Sequence, residues 1–334
     1  MSEEGTKFLK LVQAQKIDSV EDYQLVEAPR PTPSDEDVLI RVKMCGMGYV
    51  DALVALGGYQ VKPPVPFTPG QEIAGVVEAV GAQVRSVKIG DRVMANCFGG
   101  GLADYVAVPH PMVTAIPDQL ADAQAAGFRV NYLTALHGLR DRAQIQAGEH
   151  LLIFGAAGGV GSAAIQVGKL LGAHVIAVAS TEEKRAFALH LGADAVLDTK
   201  EDSWRDRLKH ICGGKGVDVI FDPVSGPLFE LAFRSLNWGG RHLVVGFAGG
   251  PIPKLPINLS LMKGASLVGV DVRQFLLYQN AQAMRHLDEL LAWVAAGEMR
   301  PPSGREFALD DFADAMRFAL SGSGLAKSVI RVSD

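Results

Sequence analysis

Leu151-Leu152-Ile153-Phe154-Gly155-Ala156-Ala157-Gly158-Gly159-Val160-Gly161 decides the fold: four apolar residues run into a glycine turn, and Ser162–Leu171 follows with apolar residues at helical spacing. Strand, glycine turn and helix in that order form a phosphate cradle. Glycine permits positive φ and lets the backbone approach a pyrophosphate, whose charge then meets the positive end of the helix dipole. The glycines at 155, 158, 159 and 161 depart from the strict G-x-G-x-x-G spacing, so the context carries the reading. Outward from this stretch, apolar runs recur at Val175–Ala179, Ala195–Leu197, Val217–Phe221, His242–Val245 and Ser266–Val270. Helices are predicted between them over Val160–Leu171, Glu182–Leu191, Asp202–Ile211 and Leu228–Leu236, with an irregular connection after Val245. Such alternation predicts an α/β unit with six buried parallel strands, doubly wound, in two mononucleotide-binding halves.

Before about residue 125 the texture is different. Short strands at Phe8–Gln13, Val38–Met44, Glu72–Val80, Asp91–Ala95 and Ala103–Val108 are punctuated by Pro and Gly, which predicts a β-rich unit. After residue 271 come helices at Ala281–Ala296 and Leu309–Leu320 and a strand near Ser328–Val332. That tail has too little core to stand alone and is expected to return to the first domain. The expected division is therefore 1–127 with 271–334, and 128–270.

The chain has 334 residues, 48% hydrophobic, with 32 Lys and Arg against 37 Asp and Glu, a net charge of −5. Without a basic patch or a run of like charge, nucleic acid and anionic membrane surfaces are disfavoured as partners. No segment reaches the roughly 20 apolar residues of a membrane span. Cys45, Cys97 and Cys212 are odd in number and widely spaced, which points to neither a disulfide framework nor a structural zinc and is consistent with a cytoplasmic protein. The acidic start Met1–Thr6 lacks the pattern of a secretory leader.

Cofactor choice is read at the end of the second strand of the α/β unit, where an NAD site places an acid on the ribose 2′-hydroxyl. Here the strand ends Ala179-Ser180-Thr181, with Lys184 and Arg185 close behind. Ser180 and Thr181 offer hydroxyls and Lys184 a positive charge, so a 2′-phosphate is favoured and NADPH is the expected cofactor. Glu182 and Glu183 weigh against this, and the alternative is that Lys184 and Arg185 form one solvated helix turn.

The sequence resembles the medium-chain dehydrogenase/reductase superfamily and, within it, the zinc-free NADPH:quinone oxidoreductase (zeta-crystallin-like) branch. Pro69–Val77, Gly90-Asp91-Arg92-Val93, Asn131-Tyr132-Leu133-Thr134, the Gly155–Gly161 turn, Asp222-Pro223-Val224-Ser225-Gly226 and Gly324-Leu325-Ala326-Lys327 carry the resemblance, in order along nearly the whole chain. It implies a GroES-like β-rich catalytic domain with an inserted Rossmann domain, and a homodimer joined through the last Rossmann strand. It also implies that Gly155, Ala157, Gly158, Gly159, Val160, Val224, Gly246, Phe247 and Lys327 meet the cofactor, and that Thr134 faces the nicotinamide.

Zinc members of the superfamily carry a pattern like C-G-x-C-x-x-D followed by G-H-E. Here the chain reads Cys45-Gly46-Met47-Gly48-Tyr49-Val50-Asp51 and Gly70-Gln71-Glu72, so Gly48 and Gln71 stand where two ligands would be. Neither is a zinc ligand of ordinary kind, and no metal is expected. Alcohol oxidation then lacks its Lewis acid. Hydride transfer to a quinone or an α,β-unsaturated carbonyl needs only donors for the acceptor oxygen. Tyr49 is either such a donor, standing where related reductases carry an Asn-Phe/Tyr-x-Asp pattern, or an aromatic core residue. Thr134 is either catalytic or a helix-start hydroxyl, Asp51 a turn acceptor, and Glu72 the partner of a nearby Arg. Met47 and Phe275 are either pocket lining or core. The leading reading is a zinc-independent NADPH-dependent reductase of small quinones or enones. The alternatives are an enoyl-thioester (acyl-CoA) reductase and a non-catalytic NADPH-binding module.

Overall fold

The computed structural model describes residues 8–60 and 62–333; the acidic start at Met1–Thr6 lies outside them. The chain forms two compact units, one comprising residues up to Arg129 and from Arg300 onward, the other Val130–Met299.

The first unit is β-rich. β1 (Phe8–Ala14) pairs antiparallel with β2 (Tyr23–Pro29), a strand the sequence pattern missed. β3 (Asp37–Met47), β4 (Glu72–Val80), β5 (Arg92–Asn96), β6 (Tyr105–Pro109) and β7 (Val113–Ala115) follow. β3 serves two neighbours along one edge: Asp37–Arg41 pair with β6, and the far end pairs with a strand from the C-terminus. Register shifts within the β3–β4 ladder bend the strand between those partners. Alternate residues of β3 to β5, among them Val38, Ile40, Val42, Ile73 and Val93, fill the core.

The second unit contains β8 (His150–Ile153), β9 (His174–Val178), β10 (Ala195–Leu197), β11 (Val217–Asp222), β12 (Leu236–Val244) and β13 (Ser266–Gly269). They lie in the order β10-β9-β8-β11-β12-β13, every pair parallel. This is the doubly wound arrangement, reversing beside β8. The expectation of six buried strands fails at β13, where Leu267 is 47% exposed at the sheet edge. As expected, the chain after β12 is irregular until the short helix Asn258–Lys263.

The C-terminal segment returns to the first unit as β14 (Glu306–Ala308) and β15 (Ser328–Arg331), which pair with each other and, through β15, with β3. Phe307, Phe312, Met316 and Ile330 join its core. The expected boundary at 270/271 needs correction, because residues 271–299 belong to the second unit. The helix Asn280–Ala295 buries Ala283, Leu287, Leu290 and Val294. Its polar contacts run to the segment His137–Arg142: Arg140 Nη1 lies 2.5 Å from Glu289, and His286 lies 3.5 Å from Asp141. Phe275 stacks on His137 with ring centroids 3.8 Å apart, so it belongs to this core rather than to a pocket. Met47 is likewise fully buried. Among the described residues no helix is long and apolar enough to cross a membrane.

Candidate active site and dinucleotide cradle

In the second unit the carboxyl ends of the strands carry the cradle, the position the doubly wound topology favours for ligands. After β8 the chain turns at Gly155, whose φ is +56°. Gly158, with extended backbone, is the N-cap of the helix Gly159–Leu170. The first intrahelical bond is Ser162 N–H to Gly158 C=O at 2.9 Å, so the amides of Gly159, Val160 and Gly161 precede the helical ladder as donors for an anion. A Cβ on Gly161 would lie 2.2 Å from Gly155 O, so only glycine lets the helix start pack on the turn.

Two further loops close on this turn. Asp222, at the end of β11, accepts the N–H groups of Val224 (3.0 Å) and Ser225 (2.7 Å) through one oxygen and meets His242 Nε2 at 3.0 Å with the other. Ser225, held at φ +57°, donates its hydroxyl to Gly246 C=O at 2.9 Å, and Gly249 N–H donates to Val224 C=O at 2.7 Å. A Cβ on Gly155 would meet Val224 Cγ2 at 2.8 Å, and one on Gly246 would meet Pro223 O at 3.0 Å. The structure thus gathers Gly155–Gly161, Val224 and Gly246 into one place, with Phe247 beside them, 39% exposed. These residues fit a dinucleotide's pyrophosphate.

After β9, Ser180 is exposed. Thr181 is the N-cap of the next helix, its hydroxyl oxygen accepting Lys184 N–H at 3.2 Å. Arg185 is not a solvated cation: it donates to Ala179 C=O and to Asp198, each at 3.0 Å. Asp198 is held below the usual carboxylate range first by the Lys200 N–H and then by Arg185. Sequence reasoning missed that pair because the two residues lie on separate elements.

Thr134 lies on the helix Arg129–Leu136, buried, and donates its hydroxyl to Val130 C=O at 2.6 Å. Its hydroxyl hydrogen goes to that carbonyl, while its oxygen keeps capacity to accept. Tyr132 ties this helix to the cradle helix, its hydroxyl accepting from Gln166 at 2.9 Å.

The first unit holds a second cluster, built on Lys327. Its Nζ lies 2.9 Å from Asp51 and 2.5 Å from Glu72, with all three side chains at most 10% exposed, so it is not a solvated lysine. Burial pulls the ammonium's pKa down, but Asp51 and Glu72 outweigh it and hold it above its ordinary value. The stem threads among glycines: a Cβ on Gly46 would lie 2.8 Å from Lys327 Cε, one on Gly48 3.3 Å from the same atom, and one on Gly127 3.3 Å from Lys327 Cβ. A side chain at Gly48 would need Lys327 and Asp51 to give by a few tenths of an ångström. Asp51 also accepts Gly48 N–H at 2.8 Å, fixing the turn from which the half-buried Tyr49 starts its helix. Glu72 pairs with Lys327, and it is also coupled electrostatically to Arg129, where its charge partly offsets the burial of the guanidinium.

The residues present do not fit a catalytic zinc. Burial, with Asp51 next, pushes the Cys45 thiol well above its ordinary pKa, Gly48 has no side chain, and the positive charge between the carboxylates is Lys327's. Cys97 is pushed up to about 12 by burial. Among the described residues no group of three or more His, Cys, Asp or Glu is placed to hold a metal ion.

Residues 34–118 match the alcohol dehydrogenase GroES-like domain and residues 159–291 the zinc-binding dehydrogenase family. A quinone oxidoreductase-like protein 2 of Rattus norvegicus is 36% identical over 304 residues, 91% of this chain and 87% of that one. The quinone oxidoreductase of Thermus thermophilus, solved also in complex with NADPH, superposes with a TM-score of 0.84 at 32% identity over 96% of this chain and 99% of that one. The CurK enoyl reductase superposes with a TM-score of 0.87 at 25% identity over 97% and 99%. With both domains matched in order and relatives aligned nearly end to end, the chain belongs to the quinone oxidoreductase family of the medium-chain dehydrogenase/reductase superfamily.

Proposed function

We propose that the protein is a zinc-independent, NADPH-dependent reductase of quinones or α,β-unsaturated carbonyls. The observation that carries this reading is the pairing of an intact dinucleotide cradle with a catalytic unit whose zinc position is given over to Gly48, Gln71 and the Lys327 ammonium. When bound, the dihydronicotinamide supplies hydride. The chain's part is to bind and orient. The amides of Gly159, Val160 and Gly161 hold the pyrophosphate, Ala157 and Gly158 shape the turn, and Val224, Gly246 and Phe247 flank the nicotinamide portion. Thr134 offers its hydroxyl oxygen as an acceptor, and Tyr49 offers a phenol to the acceptor oxygen. Lys327 acts through the Asp51 turn rather than on the cofactor.

NADPH oxidation with small quinones, enals and an enoyl-CoA, with and without a chelator, tests the reading. Turnover of a quinone or enal that survives the chelator supports it. Activity confined to enoyl-CoA, which the CurK enoyl reductase likeness makes the second reading, overturns the choice of acceptor. Tight NADPH binding without turnover would leave a binding module.

Ser180, with Thr181 and Lys184, supports the preference for a 2′-phosphate. Ser180→Asp is expected to lower kcat/KM for NADPH about 100-fold, or about 2.7 kcal/mol, while leaving NADH turnover unchanged or improved. Equal preference for both cofactors in the wild type would overturn this assignment.

We also infer a homodimer through β13 and a cytoplasmic setting. Leu267 on that edge strand is 47% exposed, and Trp238, beside Gly264, and Leu261 and Met262, on the helix that leads into β13, are 79%, 82% and 68% exposed. An apolar parallel edge needs cover, and a second copy supplies it by pairing the same strands. Leu267→Lys is expected to yield a folded monomer in light scattering at micromolar concentration. A wild type that is itself monomeric would remove the inference.

A further inference from the structure

We propose that the Gln71 side-chain amide donates a hydrogen bond to the acceptor's carbonyl oxygen as that oxygen takes up negative charge. This rests on the reading of the chain as a reductase of conjugated carbonyls and names a residue that does the electrostatic work.

Among the described residues few buried side-chain polar atoms lack a partner, and Gln71 Nε2 is one of them. It differs in kind from the two histidine nitrogens of that group. The Nδ1 atoms of His242 and His286 are unpartnered too, but a neutral imidazole needs a proton on only one nitrogen, so these are unspent acceptors at most. An amide nitrogen always carries two hydrogens, and a buried donor left unpaired calls for an explanation, a catalytic role being one.

The mount is rigid. Gly100 N–H donates to Thr68 C=O at 2.7 Å, Leu102 N–H to Pro69 C=O at 2.9 Å, Gly101 N–H to Gly70 C=O at 3.1 Å and Cys97 N–H to Gln71 C=O at 2.6 Å. Gly70, at φ +98°, brings the segment so close that a Cβ there would strike Cys45 Sγ at 2.5 Å. These bonds fix the backbone that carries the donor, which limits the reorganisation needed when charge arrives, the condition under which hydrogen bonds lower a barrier most.

The placement also fits. Cys45 is opposite Ile73 in the β3–β4 ladder and Met47 opposite Ser328 in the β3–β15 ladder. Gln71 just before β4, Tyr49 just beyond β3 and Lys327 just before β15 therefore share one end of the sheet. Glu72, the next residue, accepts from Lys327 Nζ at 2.5 Å. In the reduction, hydride from bound NADPH forms a C–H bond at the electrophilic carbon of the acceptor. The displaced π pair moves to the carbonyl oxygen, NADP+ remains, and water supplies the proton that completes the reduced product. Gln71 stabilises the oxygen between those events.

Gln71→Leu keeps the volume and removes the donor. With 1,4-benzoquinone and an enal as probes, kcat/KM is expected to fall about 100-fold, the scale of one oxyanion donor. The NADPH dissociation constant should stay within about twofold and the thermal midpoint of the cofactor-free protein should equal or exceed the wild type's, because an unsatisfied buried donor has gone. Gln71→Glu should lose more activity than Gln71→Leu at neutral pH and regain part of it in acid, where the carboxyl carries a proton to donate. A Gln71→Leu protein with wild-type kcat/KM overturns the proposal, as does one that loses stability and NADPH affinity together. A wild type inactive on both probes would instead overturn the reductase reading and this assignment with it.

Discussion

Lys327→Met is expected to lower the unfolding free energy by about 3–5 kcal/mol, the cost of stripping buried charges of their partner. Asp51 and Glu72 are 7% and 3% exposed at the side chain, and Lys327 Nζ is their common cation. Methionine keeps an apolar stem among Gly46, Gly48 and Gly127, so the loss reports charge rather than volume. Removing the carboxylates as well, in the triple variant with Asp51→Asn and Glu72→Gln, should restore much of the loss, because an unpaired charge is what costs most.

The pH dependence follows from the sign of the shift. The folded-state pKa of Lys327 is raised, so its contribution is fully present below the unfolded value of about 10.4 and is lost only as pH rises through the folded one. The wild-type cluster is therefore insensitive to its lysine near neutrality. The deficit of Lys327→Met should therefore stay constant across neutral pH and begin to narrow only as pH rises above about 10.4, where the wild type starts to lose the lysine's contribution. Urea denaturation at several pH values measures it; a deficit under about 1 kcal/mol at neutral pH would mean that the cluster behaves as a surface pair.

Gly161→Ala is expected to raise the NADPH dissociation constant about 100-fold, with about 1–3 kcal/mol of overpacking cost. The new methyl would lie 2.2 Å from Gly155 O and 2.8 Å from Ala156 Cα. Both neighbours are backbone, so no rotamer change relieves the clash and the helix start must retreat by about 1 Å from the turn. The donors of Gly159 and Val160 move with it. Fluorescence titration reads the affinity and thermal unfolding the strain; an alanine variant that binds NADPH like the wild type would remove the cradle from the proposed site.

The Rossmann strands were legible because buried parallel strands need near-continuous apolar runs, and Leu151–Phe154 and Val175–Ala179 are such runs, each bounded by turn residues. β2 was not legible. Tyr23–Pro29 carries Gln24 and Glu27 and is mostly exposed, so its strand character comes from its partner β1. The helix at 280–295 shows an apolar face, which says that a cover is needed but not which unit provides it.

The candidate site divides in the same way. Gly155–Gly161 is contiguous, so its chemistry is written in one stretch, whereas Val224 and Gly246 entered only through family resemblance. The Lys327–Glu72 bond spans 255 residues and no local pattern announces it. A signal was present nonetheless: Asp51 and Glu72 each sit in an apolar stretch, and a carboxylate bound for the interior requires a cation. The family match did not reveal Lys327's partners either.

The order of strand, glycine turn and helix, the lack of two zinc-ligand side chains at Gly48 and Gln71, and the hydroxyls in place of an acid at Ser180 were determined by the sequence alone. Each is a property of neighbouring residues, fixed by local backbone geometry and side-chain chemistry. Only the tertiary structure decided that 271–299 joins the second unit, that Lys327 is an internal cation, and that Thr134 has spent its donor. It likewise left Gln71 with an unspent one. Those facts depend on which distant groups meet in a low-dielectric interior, where a charge or a donor must find its partner among side chains because water is no longer there to serve.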